Sequence, residues 1–301
     1  MRPSGRGPDR LSWLLLGTLA LIWGSSFILM KRGLWADGRP VLSPGQVASA
    51  RLAIAWAVLV PATLRHWSML RPHWRPLLLA GVLGNGIPAL LFATAQTRID
   101  SALSGMLNSL TPLFTLVIGL LLFSAQARMA QLAGVLLGLV GAVGLVVFDP
   151  GSGPAGWSLY ALLPVAGTMC YGASANVVKH RLYMLPSMAT AALALTFVGP
   201  VGLAGCIATG LPGTLEADPA AWPALGFVAL LALLSSAFSL VLWNALLKRT
   251  SAVQASAVTY LMPVVAIGWG LLDGERLGLM QVVMIAVVLG GVYLVTASDR
   301  A

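Results

Sequence analysis

The residues able to do chemistry in this chain are few, uncharged and set deep inside apolar runs. Trp23, Ser25 and Ser26 interrupt the first run, Asn85 and Pro88 the third, and Asn108, Ser109, Thr111 and Pro112 the fourth. Further on stand Thr168, Tyr171 and Ser174, then Ser235, Ser236 and Ser239, then Thr259, Tyr260 and Pro263. Hydroxyls, amides and phenols bond without titrating at neutral pH, so the chemistry they suit is reversible recognition of a small polar solute. Covalent catalysis lacks its parts. The acids and the histidines His66, His73 and His180 lie at segment ends or in connections, and no His-Glu-x-x-His, Gly-x-Ser-x-Gly or Gly-x-x-x-x-Gly-Lys-Ser/Thr motif occurs. Polar side chains in hydrocarbon are costly unless they face protein or a water-filled cavity, which makes this set the candidate lining of a pathway.

Positioning such residues falls to transmembrane helices. Of the 301 residues, 58% are hydrophobic and 9% charged, whereas soluble domains carry about 25% charged residues. A helix needs about 20 mostly apolar residues to cross the hydrocarbon core. Ten segments approach that length: 12–31, 44–64, 76–97, 101–122, 129–148, 157–178, 187–209, 221–246, 252–271 and 278–297. The predicted fold is an all-α polytopic membrane protein of ten transmembrane helices, with no room for a soluble domain. The connections are short and carry the breakers, as in Asp149-Pro150-Gly151-Ser152-Gly153-Pro154.

The formal charge of +9 comes from basic residues scattered through those connections. That pattern argues for membrane topology and against a nucleic-acid partner. Arg2, Arg6 and Arg10 ahead of the first segment suggest a signal peptide, but no Ala-x-Ala-like cleavage site follows, so the segment reads as a retained helix. Cys170 and Cys206 both fall inside apolar segments, far from metal-type spacing, and no disulfide framework is expected.

The chain also repeats itself. Trp23-Gly24-Ser25-Ser26 aligns with Tyr171-Gly172-Ala173-Ser174, and Leu110-Thr111-Pro112-Leu113 with Leu261-Met262-Pro263-Val264. Val140-Gly141-Ala142-Val143-Gly144 then aligns with Leu289-Gly290-Gly291-Val292-Tyr293, in the same order. Weak duplication of a membrane unit marks a secondary transporter whose substrate site lies between the copies near the midplane. The predicted division is residues 1–150 for the first five-helix repeat and 151–301 for the second. Five is an odd number, so the second copy enters the membrane from the opposite side and the repeats are inverted. With the amino terminus inside, Lys31, Arg32, Arg39, Arg98 and Arg276 fall outside and Arg51 within a segment, which leaves twelve of the 18 Lys and Arg residues inside. Both termini are then cytoplasmic. Lys31 and Lys179, at equivalent repeat positions, lie on opposite faces.

A family resemblance emerges from three motifs: Trp23-Gly24-Ser25-Ser26-Phe27, Ser43-Pro44 followed by Arg51-Leu52, and Ser109-Leu110-Thr111-Pro112-Leu113-Phe114. Together with the duplication, they resemble the EamA type of the drug/metabolite transporter superfamily over nearly the whole chain. Each motif is short and mostly apolar; their order and spacing carry the likeness. The resemblance implies ten helices in two inverted repeats, with segments 1, 3, 4, 6, 8 and 9 around a central cavity and segments 5 and 10 packed outside it. It also implies export of amino acids and related metabolites from the bacterial cytoplasm.

On this reading Ser25, Ser26 and Asn108 hold polar head groups, and Tyr171 and Tyr260 shape a side-chain pocket. Trp23, Asn85, Ser109, Thr111, Ser174, Ser239 and Thr259 complete the lining. Trp23, Trp243 and Trp269 suit an aromatic wall, although Trp243 also suits an interfacial anchor. Packing is the competing use of the small hydroxyls, as in Ser101-x-x-x-Gly105-x-x-x-Ser109. Pro112 and Pro263 stand at matching repeat positions, where each removes a donor and frees a carbonyl, and Pro88 beside Gly84 and Gly86 is a third candidate bend. Such bends serve either a binding site or simple packing.

Arg51 reads first as an anchor whose stem reaches the outer surface from about 10 Å along its helix, and second as a partner for a substrate carboxylate. Gly134, Gly138 and Gly141, with Ala286 and Gly290, read as close-packing faces within or between protomers, which leaves the oligomeric state open. No Asp or Glu is embedded to carry a proton. The expected mechanism is therefore alternating access through a neutral, polar and aromatic cavity, with facilitated diffusion or weak coupling. No cofactor is expected, and the partners are the solute and the lipid bilayer. A lipid-linked precursor flippase is the alternative transport reading; a membrane-embedded enzyme is more distant.

Overall fold

The computed structural model describes residues 9–99, 101–126, 128–147, 159–272 and 279–297, and these are predominantly helical. Asp9 starts the first rod by accepting the Ser12 amide at 2.9 Å, which satisfies one of the open donors at a helix start. That rod is α1 (Arg10–Gly24) and α2 (Ser26–Leu34), broken at Ser25. A hairpin follows, pairing β1 (Trp35–Ala36) with β2 (Arg39–Pro40). Its turn residues Asp37 and Gly38 both have positive φ, the geometry that an Asp-Gly dipeptide supplies. This hairpin corrects the all-α expectation.

Ser43 and Gln46 form a capping box that, with Pro44 in the first turn, starts α3 (Pro44–Arg65). Then come α4 (Trp74–Gly81), a π-helical turn at Val82–Gly86, and α5 (Ile87–Ala95). The fourth segment is split into α6 (Ser101–Asn108) and α7 (Thr111–Leu122), and α8 (Met129–Val147) closes the first half.

The second half runs through α9 (Leu162–Arg181), α10 (Ser187–Ala208) and a short α11 (Leu211–Ala217). A second π-helical turn, Ala232–Phe238, lies between α12 (Ala221–Leu231) and α13 (Ser239–Arg249). A Ser251 and Gln254 capping box opens α14 (Ala252–Ser256), which breaks at Ala257 before α15 (Val258–Leu272) and the final α16 (Leu279–Ala297).

Among the described residues, six helical stretches are long and apolar enough to cross a bilayer: Arg10–Leu34, Pro44–Arg65, Trp67–Ala95, Leu159–Arg181, Ser187–Ala208 and Ala221–Arg249. Shorter apolar helices cover Thr111–Leu122, Met129–Gly141, Ala252–Val265 and Val282–Val295.

Lipid tails are as apolar as leucine, so helices in a bilayer associate through close contact rather than through escape from water. Two long seams show this. Along α3 and α10, Gly199 faces Trp56 and Gly202 faces Leu52 and the Ser49 carbonyl. Along α8 and α16, a Cβ on Gly134 would lie 2.7 Å from the Val295 amide nitrogen, and one on Gly141 would lie 2.8 Å from that of Val288. Gly290 does not share this role: a Cβ there would meet only Leu137 at 3.6 Å, and Ala286 is exposed. The contact face of α16 is instead Val288, Gly291, Val292 and Val295. Elsewhere α7 packs on α9, α1 on α15, α5 on α9 and α2 on α12.

Candidate functional site

The broken helices converge on a cavity with about 100 Å³ of free interior. Ser26, Phe27 and Met30 line it from α2, Asn85 from the first π turn, Asn108 from α6, and Tyr171 and Ser174 from α9. Ser235 on the second π turn, Trp243 and Asn244 on α13, and Thr259 and Met262 on α15 complete the far side. Among the described residues, none of the lining comes from α8 or α16. The interior is small beside the roughly 300–1,000 Å³ of most small-molecule sites. It holds several waters or a head group, so a larger solute needs the cavity to open.

The helix breaks have identifiable causes. Proline clashes with the carbonyl four residues earlier and offers it no donor. For Pro112 that carbonyl belongs to Asn108 and accepts the Thr111 hydroxyl at 2.7 Å; for Pro263 it belongs to Thr259 and accepts the Ser109 hydroxyl at 3.3 Å. Neighbouring hydroxyls thus satisfy both carbonyls, as the packing reading of these prolines requires. The chain breaks two residues before Pro112, and at Ala257 well ahead of Pro263, which itself sits inside α15. Pro88 follows the π turn in the first turn of α5.

Eight of the expected site residues line the cavity: Trp23, Ser26, Asn85, Asn108, Thr111, Tyr171, Ser174 and Thr259. The Trp23 ring nitrogen donates to the Ser235 carbonyl at 3.1 Å, and its ring meets Trp243 with centroids 5.5 Å apart. Trp243 is therefore a wall of the cavity rather than an interfacial anchor. Tyr171 stacks on Phe92 at 5.8 Å, and Phe92 meets Phe27 at 6.2 Å. Three amide atoms around this space are buried without a partner: Asn85 Nδ2, Asn108 Oδ1 and Asn244 Oδ1. Unsatisfied polar atoms are expensive to bury, which marks them as groups available to a ligand.

The other four are not in the lining. Ser25 donates to the Leu21 carbonyl at 2.8 Å, and Ser109 is spent on Thr259. Ser239 is buried outside the lining, because a π turn adds a residue and rotates the helix after it by about 100°. That rotation carries Leu240, Trp243 and Asn244 inward instead. Tyr260 is fully buried against α8, its hydroxyl donating to the Val135 carbonyl at 2.8 Å. The side chain of Trp269 lies outside the described residues.

Arg51 overturns the anchor reading. It lines the cavity and donates from Nε to the Ser236 hydroxyl at 2.7 Å. It is the one charged side chain among the lining residues described. Sequence reasoning fixed its depth along α3 but not the direction it faces. Among the described residues no group of three His, Cys, Asp or Glu side chains is placed to hold a metal.

Each end of the molecule carries an exposed ion pair. Arg39 grips Asp218 through two nitrogens at 2.6 and 2.9 Å and holds its carboxyl at about 2. Arg249 meets Asp9 at 2.8 Å, and bonds from Ser12 hold the Asp9 carboxyl below its usual range. Beside the hairpin, Lys31, Arg32 and Arg98 line a second, open pocket with Asp37 and the buried Gln96.

A solved crystal structure of a protein superposes with a TM-score of 0.70 over 96% of this chain and 97% of that one, at 20% sequence identity. An uncharacterized inner membrane transporter of Escherichia coli K12, YedA, is 26% identical over 286 residues, 93% of this chain and 89% of that protein. A probable terminal-alkyne amino-acid exporter of Streptantibioticus cattleyicolor is 26% identical over 258 residues, 85% and 82% of the two chains. Residues 11–147 match the EamA-like transporter family, and residues 158–297 match it again. This integral membrane protein, a small-molecule transporter consistent with the drug/metabolite transporter superfamily, belongs to the EamA-like transporter family.

Proposed function

We propose that the chain is a secondary transporter that exports small amphipathic metabolites, amino acids and related compounds first among them. It works by alternating access in the bacterial cytoplasmic membrane, as ten helices in two inverted five-helix repeats, residues 1–150 and 151–301, with both termini in the cytoplasm. The single observation carrying the reading is the cavity: aromatic walls, unpartnered amides and broken helices from both halves converge on one space. The Streptantibioticus relative named as an amino-acid exporter supports the solute class.

Packing supports the duplication. Segments 2 and 7 pack together as α3 and α10, and segments 5 and 10 as α8 and α16. The contact of α7 with α9 has its counterpart in that of α15 with α1, and the contact of α4 with α9 in that of α12 with α2. Each contact maps onto itself or onto another when the halves are exchanged. The ion pairs support the threading, since Arg39 and Asp218 both follow an odd number of the ten segments and Asp9 and Arg249 both an even number, which puts each pair on one face.

Efflux from cells or proteoliposomes against a panel of labelled amino acids and related acids tests the reading. Wild type should export at least one member of the panel. Asn108→Ala should lower that export about tenfold, the effect of ~1.4 kcal/mol, with normal expression. No export of any member, or an Asn108→Ala protein that transports like wild type, sinks it.

A further inference from the structure

Charge accounting inside the cavity narrows the solute class, on the premise that this cavity is the transport site. Arg51 has no carboxylate partner among the described residues, and its Nε is occupied by Ser236. Its two terminal nitrogens make no hydrogen bond there, and they are the pair that grips a carboxylate in parallel. An uncompensated cation held half-buried in a membrane-embedded cavity is costly, and a ligand of opposite charge offsets that cost. Among the described residues no acid lines the cavity to receive an ammonium group, which would find only neutral oxygens there, the unpartnered amide oxygens of Asn108 and Asn244 among them. A solute of net charge −1 therefore leaves the loaded cavity neutral, whereas a zwitterion leaves it at +1.

We propose that Arg51 is the anion-binding residue of the cavity and that the exported solute is an amphipathic monocarboxylate, driven outward by the membrane potential. Its carboxylate pairs with the Arg51 guanidinium, and its apolar body lies between the Trp23 and Trp243 rings and the Phe92 and Tyr171 stack. A monoanion leaving a negative-inside compartment moves down the potential and needs no coupling ion. At 100 mV the potential supports a gradient of about 50-fold. The cavity accordingly needs no embedded Asp or Glu to carry protons.

Three probes share one body and differ in charge: 3-phenylpropionate at −1, phenylalanine at 0 and 2-phenylethylamine at +1. Purified full-length protein titrated with each should bind 3-phenylpropionate at least ~10-fold more tightly than phenylalanine, one ion-pair contact of ~1.4 kcal/mol, and the amine more weakly still. Arg51→Gln should abolish that preference, and Arg51→Lys should keep its sign. Proteoliposomes loaded with 3-phenylpropionate should empty faster under an inside-negative potassium and valinomycin potential than at zero potential, after subtraction of protein-free liposomes.

A wild-type protein that binds the three probes alike or none of them overturns the proposal. So does a preference that survives in folded Arg51→Gln, or efflux blind to potential. The wild-type charge series stands even if Arg51→Gln fails to fold. Phenylalanine export without 3-phenylpropionate export defeats this proposal alone, whereas no export of any solute defeats the transport reading beneath it.

Discussion

Tyr171 and Tyr260 show two regions of the molecule using one side chain in opposite ways. Tyr171 faces the cavity, stacked on Phe92 among unpartnered amides. Tyr260 is sealed between α15 and α8, with its hydroxyl on the Val135 carbonyl and its ring against Gly138. Valines 135, 288, 292 and 295 surround Tyr260, and the glycines of α8 let the backbones touch. The seam satisfies its polar atoms and fills its volume; the cavity leaves both undone. Incomplete satisfaction costs stability, and sites that bind solutes are where proteins retain such costs.

The seam breaks first when its spacing is changed. A Cβ on Gly291 would stand 2.6 Å from the Gly138 Cα and 2.9 Å from the Gly134 carbonyl oxygen, all backbone atoms unable to turn aside. Gly291→Leu should cost about 3 kcal/mol, read as early loss of the folded peak when detergent-solubilised protein is heated. If that variant melts with wild type, α8 and α16 do not pack as described.

Asn108→Leu sharpens the contrast because its two readouts should diverge. Removing the unpartnered Oδ1 from an apolar neighbourhood should leave stability unchanged or raise it by about 1 kcal/mol, while export falls about tenfold as for Asn108→Ala. A variant that is both less stable and fully active would put Asn108 in the scaffold instead.

A smaller effect is expected at Tyr260. Tyr260→Phe removes one buried hydrogen bond, worth about 1 kcal/mol, and export per folded molecule should be unchanged. Altered solute selectivity in this variant would return Tyr260 to the pathway.

The smallest effect belongs to the exposed Arg39 and Asp218 pair. Asp218 sits at about 2 in the folded protein, below its ordinary value of 3.8. Its contribution is therefore complete above pH 4 and is lost as the pH falls towards 2. Melting curves between those limits should show a component that Arg39→Gln abolishes, and an unchanged acid limb in that variant would remove the pair from the account.

Much of this was legible in the sequence. The ten apolar segments begin and end within a few residues of the helices described, because hydrocarbon thickness sets their length and Ser43-Pro44 or Ser251 caps their starts. The directions of side chains were less legible. Ser25 with Ser26, Asn108 with Ser109, and Thr259 with Tyr260 are adjacent pairs, and adjacent residues on a helix point about 100° apart. In each pair one member lines the cavity and the other does not.

That constraint was available from spacing alone. The π turns at Val82–Gly86 and Ala232–Phe238 were not, since nothing in Leu233-Leu234-Ser235-Ser236 announces an added residue. They explain why Asn244 was missed and Ser239 misplaced. Arg51 was read first as an anchor, with the cavity only second, for a third reason: its distance from the surface was counted, but the face of α3 it occupies depends on how α3 meets the second π turn.

Accessibility of the cavity from both sides tests the central claim most directly. Ser26→Cys, in a background with Cys170 and Cys206 replaced by serine, places one thiol in the lining, and Val288→Cys places one in the seam. A membrane-impermeant maleimide applied to sealed vesicles of each orientation should label Cys at 26 from either side and leave the seam thiol untouched. Labelling at 26 from one side only, or equal labelling of the seam, would contradict a cavity that opens alternately to the two compartments.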